Sequence, residues 1–339
     1  MSSPAPPHSL LCLRHCRDAM RMREPFRISG FLFEAMPAVV ATLAEGPLAG
    51  RGEAAGVYYL GDDPAHIETE LEAVRGAVEA GIDRPALQQL LPAGGARNAL
   101  DCALWELDSL RTAAPVWKLA GVPEPRALVT TYTLPAEDPA ELLKRLAPLA
   151  FARAIKLKLE GDLAADTAKV EAVRKARPDV WLCVDANQGF RGDDLDALAS
   201  MLVDHKVALL EQPIRRGDEH LLAGWTPPLP VAADESILDL AELEAHAAHF
   251  QIVNIKLDKC GGLTEALAMA KRARTLGLGV MVGNMAGSTL STAPAFVLAQ
   301  LCDIVDLDGP AFLADDPLAA QIYDGDGRVR VPDRLWGHG

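Results

Sequence analysis

The period of the hydrophobic residues changes along the chain. Over residues 25–59 apolar and polar positions run as extended segments, FRISGFLFEA, PAVVATLAEG and GRGEAAGVYY, punctuated by the turn signals Gly46-Pro47 and Gly50. Asp62, Asp63 and Pro64 then open a helix in the manner of an N-cap, and it runs to Gly81. A second helix is predicted over 96–112. There Ala99, Leu100, Ala103, Leu104, Leu107 and Leu110 form one apolar stripe, with Arg97, Asp101 and Asp108 off it. A sheet followed by helices reads as a small α+β domain.

After Gly121 the rhythm changes. Strand-like runs recur at 127–133, 154–158, 180–185, 207–211, 230–234, 252–256, 279–283 and 303–308. Most are separated by Ala/Leu/Arg-rich stretches of helical period, such as AADTAKVEAVRKA. Eight strands at near-constant spacing predict an α/β fold of the (β/α)-barrel, TIM-like type. From 311 the chain contains DGDGRVRVP, a hairpin-like tail expected to fold back on the first domain. The expected division is a capping domain over 1–124, with 1–22 as a loose leader, a barrel over 125–310, and a returning tail over 311–339.

Length agrees with this division, since 339 residues accommodate one barrel and a smaller partner domain. The longest uncharged apolar stretches are strand-sized, far below the ~20 residues of a membrane span. A formal charge of −14 argues against a nucleic-acid partner, which would want a basic face. The six cysteines, at 12, 16, 102, 183, 260 and 302, form no disulfide-like framework and suit a reducing compartment. Cys12, His15 and Cys16 have no second ligand pair nearby to make a metal site. Arg14, Arg17, Arg21 and Arg23 surround only a very short apolar patch, not the core of a secretory signal, so cytoplasm is the expected location. Self-association into a homo-oligomer is left open.

The candidate chemistry lies at the ends of the barrel strands. Lys158, Asp185, Glu211, Asp234 and Lys256 each close an apolar run and follow one another at 27, 26, 23 and 22 positions, about one strand–helix unit. The C-terminal strand ends are where such barrels assemble their active sites. Three carboxylates without His or Cys companions point to a hard cation such as Mg²⁺ rather than Zn²⁺. Lys156 and Lys158 share one strand face, because side chains alternate with period two. Lys256 can meet them from across the barrel. A free lysine, with a pKa of about 10.4, is a poor base at neutral pH, and the cation and neighbouring ammonium are expected to lower that value. Removing a proton beside a carboxylate adds a second negative charge to an anion. Turnover at about 10 per second allows a barrier no higher than ~16 kcal/mol. A divalent cation is the plausible large source of stabilisation, with Lys156 able to donate to the same oxygens. The arrangement reads as a metal-dependent epimerase or racemase.

These motifs resemble the enolase superfamily, muconate-lactonising-enzyme subgroup, over roughly residues 24–332. The resemblance is carried by Lys156-x-Lys158, VDANQ with Asp185 and Asn187, EQP with Glu211, ADES with Asp234 and Glu235, NIK with Lys256, and ARNALDCALWELD in the cap. It implies an enolase-type barrel, Mg²⁺ as cofactor, Lys158 and Lys256 as the two bases, and Asn187 and Glu235 in support. Asp306 and Asp308, in VDLDGP, share a face at the end of the last strand. The family's dipeptide epimerases carry such an Asp-x-Asp to hold the substrate's α-ammonium group. The function implied is therefore an isomerase, a dipeptide epimerase acting on the C-terminal residue of a small-molecule substrate. In the Ala-Glu type, a cap loop supplies an arginine for the substrate's side-chain carboxylate. Phe33, in GFLFEA, occupies that position in an ungapped alignment. Phe31, Leu32 and Phe33 are then expected to form an apolar lid favouring apolar residues over Glu, with Arg27 nearby in a strand. The alternatives are an o-succinylbenzoate synthase, an N-acylamino acid racemase, a muconate-type cycloisomerase, and a non-catalytic homologue. Acid-sugar dehydratases fit less well, since no His appears in GVMVGNMAG.

Overall fold

The computed structural model describes residues 11–28 and 31–337, without the side chains of Arg27, Ile28, Phe31 and Asp333. The chain begins with a long antiparallel hairpin, β1 (Cys12–Ile28) and β2 (Phe31–Glu45), and β3 (Leu48–Ala54) pairs with β2. Residues 12–22 are thus strand and not the loose leader expected, and residues 1–10 lie outside the described ones. The arginines disguise an alternating strand. Leu11 and Leu13 are buried in the cap core, and further along the same face two polar side chains meet acidic residues of the first helix, with His15 Nε2 2.6 Å from Glu72 and Arg17 paired to Glu68. Gly50 is no turn either. It lies within β3, where a Cβ would stand 2.1 Å from the Ala103 carbonyl, as one at Gly52 would from that of Ala99. The missing side chains let the helix Gly95–Thr112 lie directly on the strand.

The helix Pro64–Glu79 starts where expected. Asp63 Oδ1 accepts from the N–H groups of Ala65 and His66. Its buried face is Ile67, Leu71, Val74 and Val78. The helix Gly95–Thr112 buries more than one stripe. Arg97 and Asp101 are also buried, because they face the barrel: Arg97 Nη2 donates to Cys260 O at 2.6 Å, and Asp101 Oδ2 accepts from Thr264 N at 2.9 Å.

β4 (Leu128–Val129) leads into the barrel strands β5 (Thr131–Leu134), β6 (Ala154–Lys158), β7 (Trp181–Asp185), β8 (Leu209–Glu211), β9 (Val231–Ala233), β10 (Ile252–Ile255), β11 (Gly279–Val282) and β12 (Ile304–Val305). β5 to β12 pair in chain order in one eight-stranded sheet, parallel throughout. Two-residue β12 is too short for a ladder to β5, and side chains bridge the seam. Leu307 N donates to Thr130 Oγ1 at 2.9 Å, and Thr133 N donates to Asp308 Oδ2 at 2.6 Å. The tail forms β13 (Arg328–Val329), which pairs with β4. It touches the cap at both ends: Ala314 N donates to Arg21 O at 2.8 Å, and Trp336 Nε1 to Arg51 O at 2.9 Å. Among the described residues, no helix is long and apolar enough to cross a membrane.

The pleat separates two environments. Ile155, Leu157, Leu182, Val184, Leu210, Val253 and Ile255 point outward into the core shared with the helices. The inward residues stack in levels. Cys183, Leu209, Ala232 and Met281 form an apolar plug inside the barrel. Two residues further along β7 and β8, on the same face, come Asp185 and Glu211, which are register partners. Lys156 pairs with Cys183 at the plug level and Lys158 with Asp185 above it. The strand period therefore places a charged layer directly on a dry one.

Candidate active site

Asp185, Glu211 and Asp234 converge on that layer, with one carboxylate oxygen of each within 4.8 Å of the others. At an effective dielectric constant of about 20, two full charges at that separation repel by roughly 3–4 kcal/mol. Such a cluster persists only with cations in it. Nor do these acids cap helices: Asp138, Asp162, Asp239 and Ser288 make the barrel's side-chain caps.

Three lysines answer the charge. Lys156 Nζ stands 2.8 Å from Glu211 Oε2, 2.9 Å from Asp306 Oδ2 and 3.2 Å from Asp185 Oδ2. Lys158 Nζ donates to Asp185 Oδ2, and Lys256 Nζ to Asp234 Oδ2, each at 2.6 Å. β6 and β10, which carry Lys158 and lead into Lys256, are four strands apart in a sheet of eight, so the two lysines face each other across the barrel. Both line one cavity with Lys156, Asp234, Asp306 and Asp308.

The sequence also suggested depressed lysine pKa values. The protein's own charges act the other way. Burial, the largest single influence on both, favours the neutral form, but the surrounding carboxylates together outweigh it and raise the pKa, Asp234 foremost for Lys256 and Asp306 and Glu211 foremost for Lys156. The expected depression belongs to the cation, which would offset these carboxylates. Among the acids, burial pushes Asp185 up, yet Lys158 and Lys156 hold it at about 2. Glu211 goes the other way, lifted to about 7 by burial and by Asp185. Its Oε2 has the ion pair with Lys156 but accepts no aligned hydrogen bond. An all-oxygen, buried, incompletely satisfied donor set of this kind fits a hard divalent cation such as Mg²⁺.

Sequence reasoning overlooked several neighbours. Asn254 Nδ2 donates to Glu211 Oε1 at 2.8 Å, and its place two residues before Lys256 made its inward direction legible. Lys259, wholly buried, donates to Asp234 Oδ1 at 2.6 Å and to Asn254 O at 3.0 Å. Thr131 Oγ1 donates to Asp306 Oδ1. Asp306 and Asp308 do face the cavity together, but differently. Asp306 is already tied to Lys156, whereas Asp308 is raised to about 7 by burial and by Asp306. Asn187 and Glu235 line the same cavity.

The cap supplies the opposite wall, including Met22, Phe26, Phe33, Met36 and Tyr58. Phe33 packs edge-on to Tyr58 with ring centroids 5.2 Å apart. The three-residue apolar lid does not form. Residues 31–33 are strand, so Leu32 alternates outward, is 52% exposed and lies off the cavity wall. The side chains of Phe31 and Arg27 lie outside the described residues.

Comparison with known proteins agrees with this geometry. Residues 139–339 match the family "Enolase C-terminal domain-like". The chain is 37% identical over 301 residues to the L-Ala-D/L-Glu epimerase of Escherichia coli, covering 88% of this chain and 93% of that protein. It is 33% identical over 295 residues to a hydrophobic dipeptide epimerase of a Flavobacteria bacterium, covering 81% and 82%. Its structure superposes on the dipeptide epimerase of Methylococcus capsulatus, solved with Mg and L-Arg-D-Lys, at a TM-score of 0.88 and 28% identity, covering 98% of this chain and 99% of that one. With its barrel, its carboxylate triad and its facing lysines, the chain belongs to the enolase superfamily.

Proposed function

We propose that the protein is an Mg²⁺-dependent dipeptide epimerase that inverts the α-carbon of the C-terminal residue. The observation that carries this reading is the placement of Lys158 and Lys256. They stand on opposite sides of one cavity, each held by a carboxylate of the same triad. Asp185, Glu211 and Asp234 would hold the cation. Mg²⁺ bound there would supply positive charge to the substrate carboxylate and offset the charge that keeps Lys256 protonated. One lysine Nζ takes the α-proton from one face as the C–H electron pair moves into the carboxylate. The other lysine returns a proton to the opposite face, and the configuration inverts. Lys156, at the floor, is placed to donate to the carboxylate oxygens as they gain charge.

Asp308, with Asp306 beside it, favours a dipeptide over an ammonium-free substrate, because a buried carboxylate on the cavity wall that Lys156 does not claim suits a substrate cation. N-acetylation removes that cation. It should cost about 1.5–3 kcal/mol, a loss of at least roughly tenfold in kcat/KM. An N-acetyl substrate matching its free parent would transfer the assignment to an N-acylamino acid racemase.

The side-chain preference follows from the cap wall. Among the described residues no arginine lines the cavity, and Phe33 stands in an apolar surround. Desolvating a glutamate side chain there without a partner is costly. Dipeptides with an apolar C-terminal residue should therefore exceed Ala-Glu in kcat/KM. A direct comparison of Ala-Leu with Ala-Glu decides it, and a clear advantage for Ala-Glu would overturn the apolar reading of the pocket.

A further inference from the structure

One buried acid joins cap to barrel beside the site without taking part in the chemistry above. Asp258 lies two residues beyond Lys256, in the helix Leu257–Cys260. Its Oδ1 accepts from the backbone N–H groups of Ala55 and Gly56, each at 3.0 Å. The cap segment that starts there continues into Tyr58 and Tyr59, both on the cavity wall. Its path is tight. Gly56 has φ +75°, and a Cβ on it would lie 2.2 Å from Asp62 O. The far end of the segment is held by the cap itself, where Asp62 Oδ2 accepts from Gly95 N at 2.8 Å. Asp258 ties the near end to the barrel.

The barrel side of this tie is equally fixed. Lys259, next in the same helix, donates to Asp234 Oδ1 and to Ile237 O, at 2.6 and 3.1 Å. Arg97 of the cap donates to Cys260 O at 2.6 Å. The short helix thus carries Lys256 at its start, a hold on the metal-ligand candidate Asp234, and a hold on the cap segment. Loss of Asp258 would leave two N–H groups at the buried junction without their acceptor, and the segment would move to find another.

We propose that Asp258 is a positioning residue for substrate recognition: it keeps the wall carried by Tyr58 and Tyr59 in register with Lys256, so that the side chain and the α-carbon of the epimerised residue are located together. This rests on the dipeptide reading. A merely structural role would affect all substrates alike, whereas this role scales with how far the substrate side chain reaches the wall.

The test measures kcat and KM for Ala-Leu and Ala-Ala with the Mg²⁺-loaded protein. Asp258→Ala should raise KM for Ala-Leu roughly tenfold or more, and KM for Ala-Ala less than about threefold. Burial lifts the Asp258 carboxyl to about 7, and an amide keeps one oxygen for both N–H groups. Asp258→Asn should therefore stay within about threefold of the parent for both substrates. Asp101→Ala is the control. Asp101 is an equally buried cap–barrel acid, off the cavity, bonded to Thr264 N and Gln88, and its loss should lower the melting temperature while shifting both substrates equally. If Asp258→Ala does not fold, Asp258→Glu keeps the acceptor but pushes the segment outward by one methylene, and should show the same selective rise in KM. Equal effects on the two dipeptides, in whichever of these variants folds, would overturn the proposal while leaving the epimerase reading intact. An unmodified protein inert toward every dipeptide would overturn both.

Discussion

Alanine at Lys158 or at Lys256 should abolish epimerisation yet preserve half of the proton chemistry. Each lysine faces the substrate from its own side of the barrel, so each serves one configuration. In either variant the remaining lysine should still exchange the α-proton of one isomer with solvent. In D₂O, Lys158→Ala should incorporate deuterium into one isomer only, and Lys256→Ala into the other only. Loss of a positioned general base costs about 10²–10⁴-fold, so racemisation falls by at least that factor. Folding should survive. Asp185 keeps Lys156 at 3.2 Å when Lys158 is removed, and Asp234 keeps Lys259 at 2.6 Å when Lys256 is removed. Melting temperature and Mg²⁺ binding check this. Equal loss of exchange for both isomers in each variant, with fold and binding intact, would rule out two opposed bases.

Why these lysines were legible in the sequence, and others were not, has a physical explanation. Strand period two and the strand–helix repeat are local properties, and together they fix which side chain ends each strand and points inward. Lys156, Lys158, Asp185, Glu211, Asp234 and Lys256 all follow from that arithmetic, and Asn254 could have been added by the same rule. The β6 boundaries were predicted to the residue, because AIKLK alternates cleanly between core and barrel interior.

What escaped depends on contacts between distant segments. Lys259 reads as a surface lysine of a short helix, and only the fold brings Asp234 O, Ile237 O and Asn254 O around it. Asp306 was read with Asp308 as a matched pair, but Lys156, 150 residues earlier, claims one of the two. β1 was obscured because His15 and Arg17 find acidic partners on a helix about 50 residues away, and Arg21 finds Asp315 in the tail. Gly50 resembles a turn residue until the helix it accommodates is in place. The carboxylates that raise Lys156 and Lys256 also come from other strands, so the neighbouring ammonium alone does not lower these two, and the expected depression rests on the cation.

Replacing Glu211 by glutamine should separate metal binding from folding. Glu211 sits between Asp185 and Asp234 in strand order and is the member whose charge burial and Asp185 most oppose. Without a divalent cation, burial and repulsion from Asp185 outweigh attraction to Lys156 and lift the Glu211 carboxyl, so the substitution removes a net opposition to the charged form. The metal-free melting temperature should therefore hold or rise. Mg²⁺ at a hundredfold excess over its Kd should stabilise the unaltered protein by about 2.7 kcal/mol. In Glu211→Gln that stabilisation should vanish, because a neutral amide oxygen replaces an anionic ligand, and calorimetry should show Mg²⁺ affinity reduced at least roughly a hundredfold. Epimerase activity should be lost with it, and EDTA should abolish the activity of the unaltered protein until Mg²⁺ is restored. Unchanged Mg²⁺ affinity in Glu211→Gln, or full activity of the chelated protein, would remove the triad from the metal site. The lysine exchange experiment distinguishes the two halves of the mechanism: a variant defective only in the cation loses exchange of both isomers, and a variant defective in one base loses exchange of one.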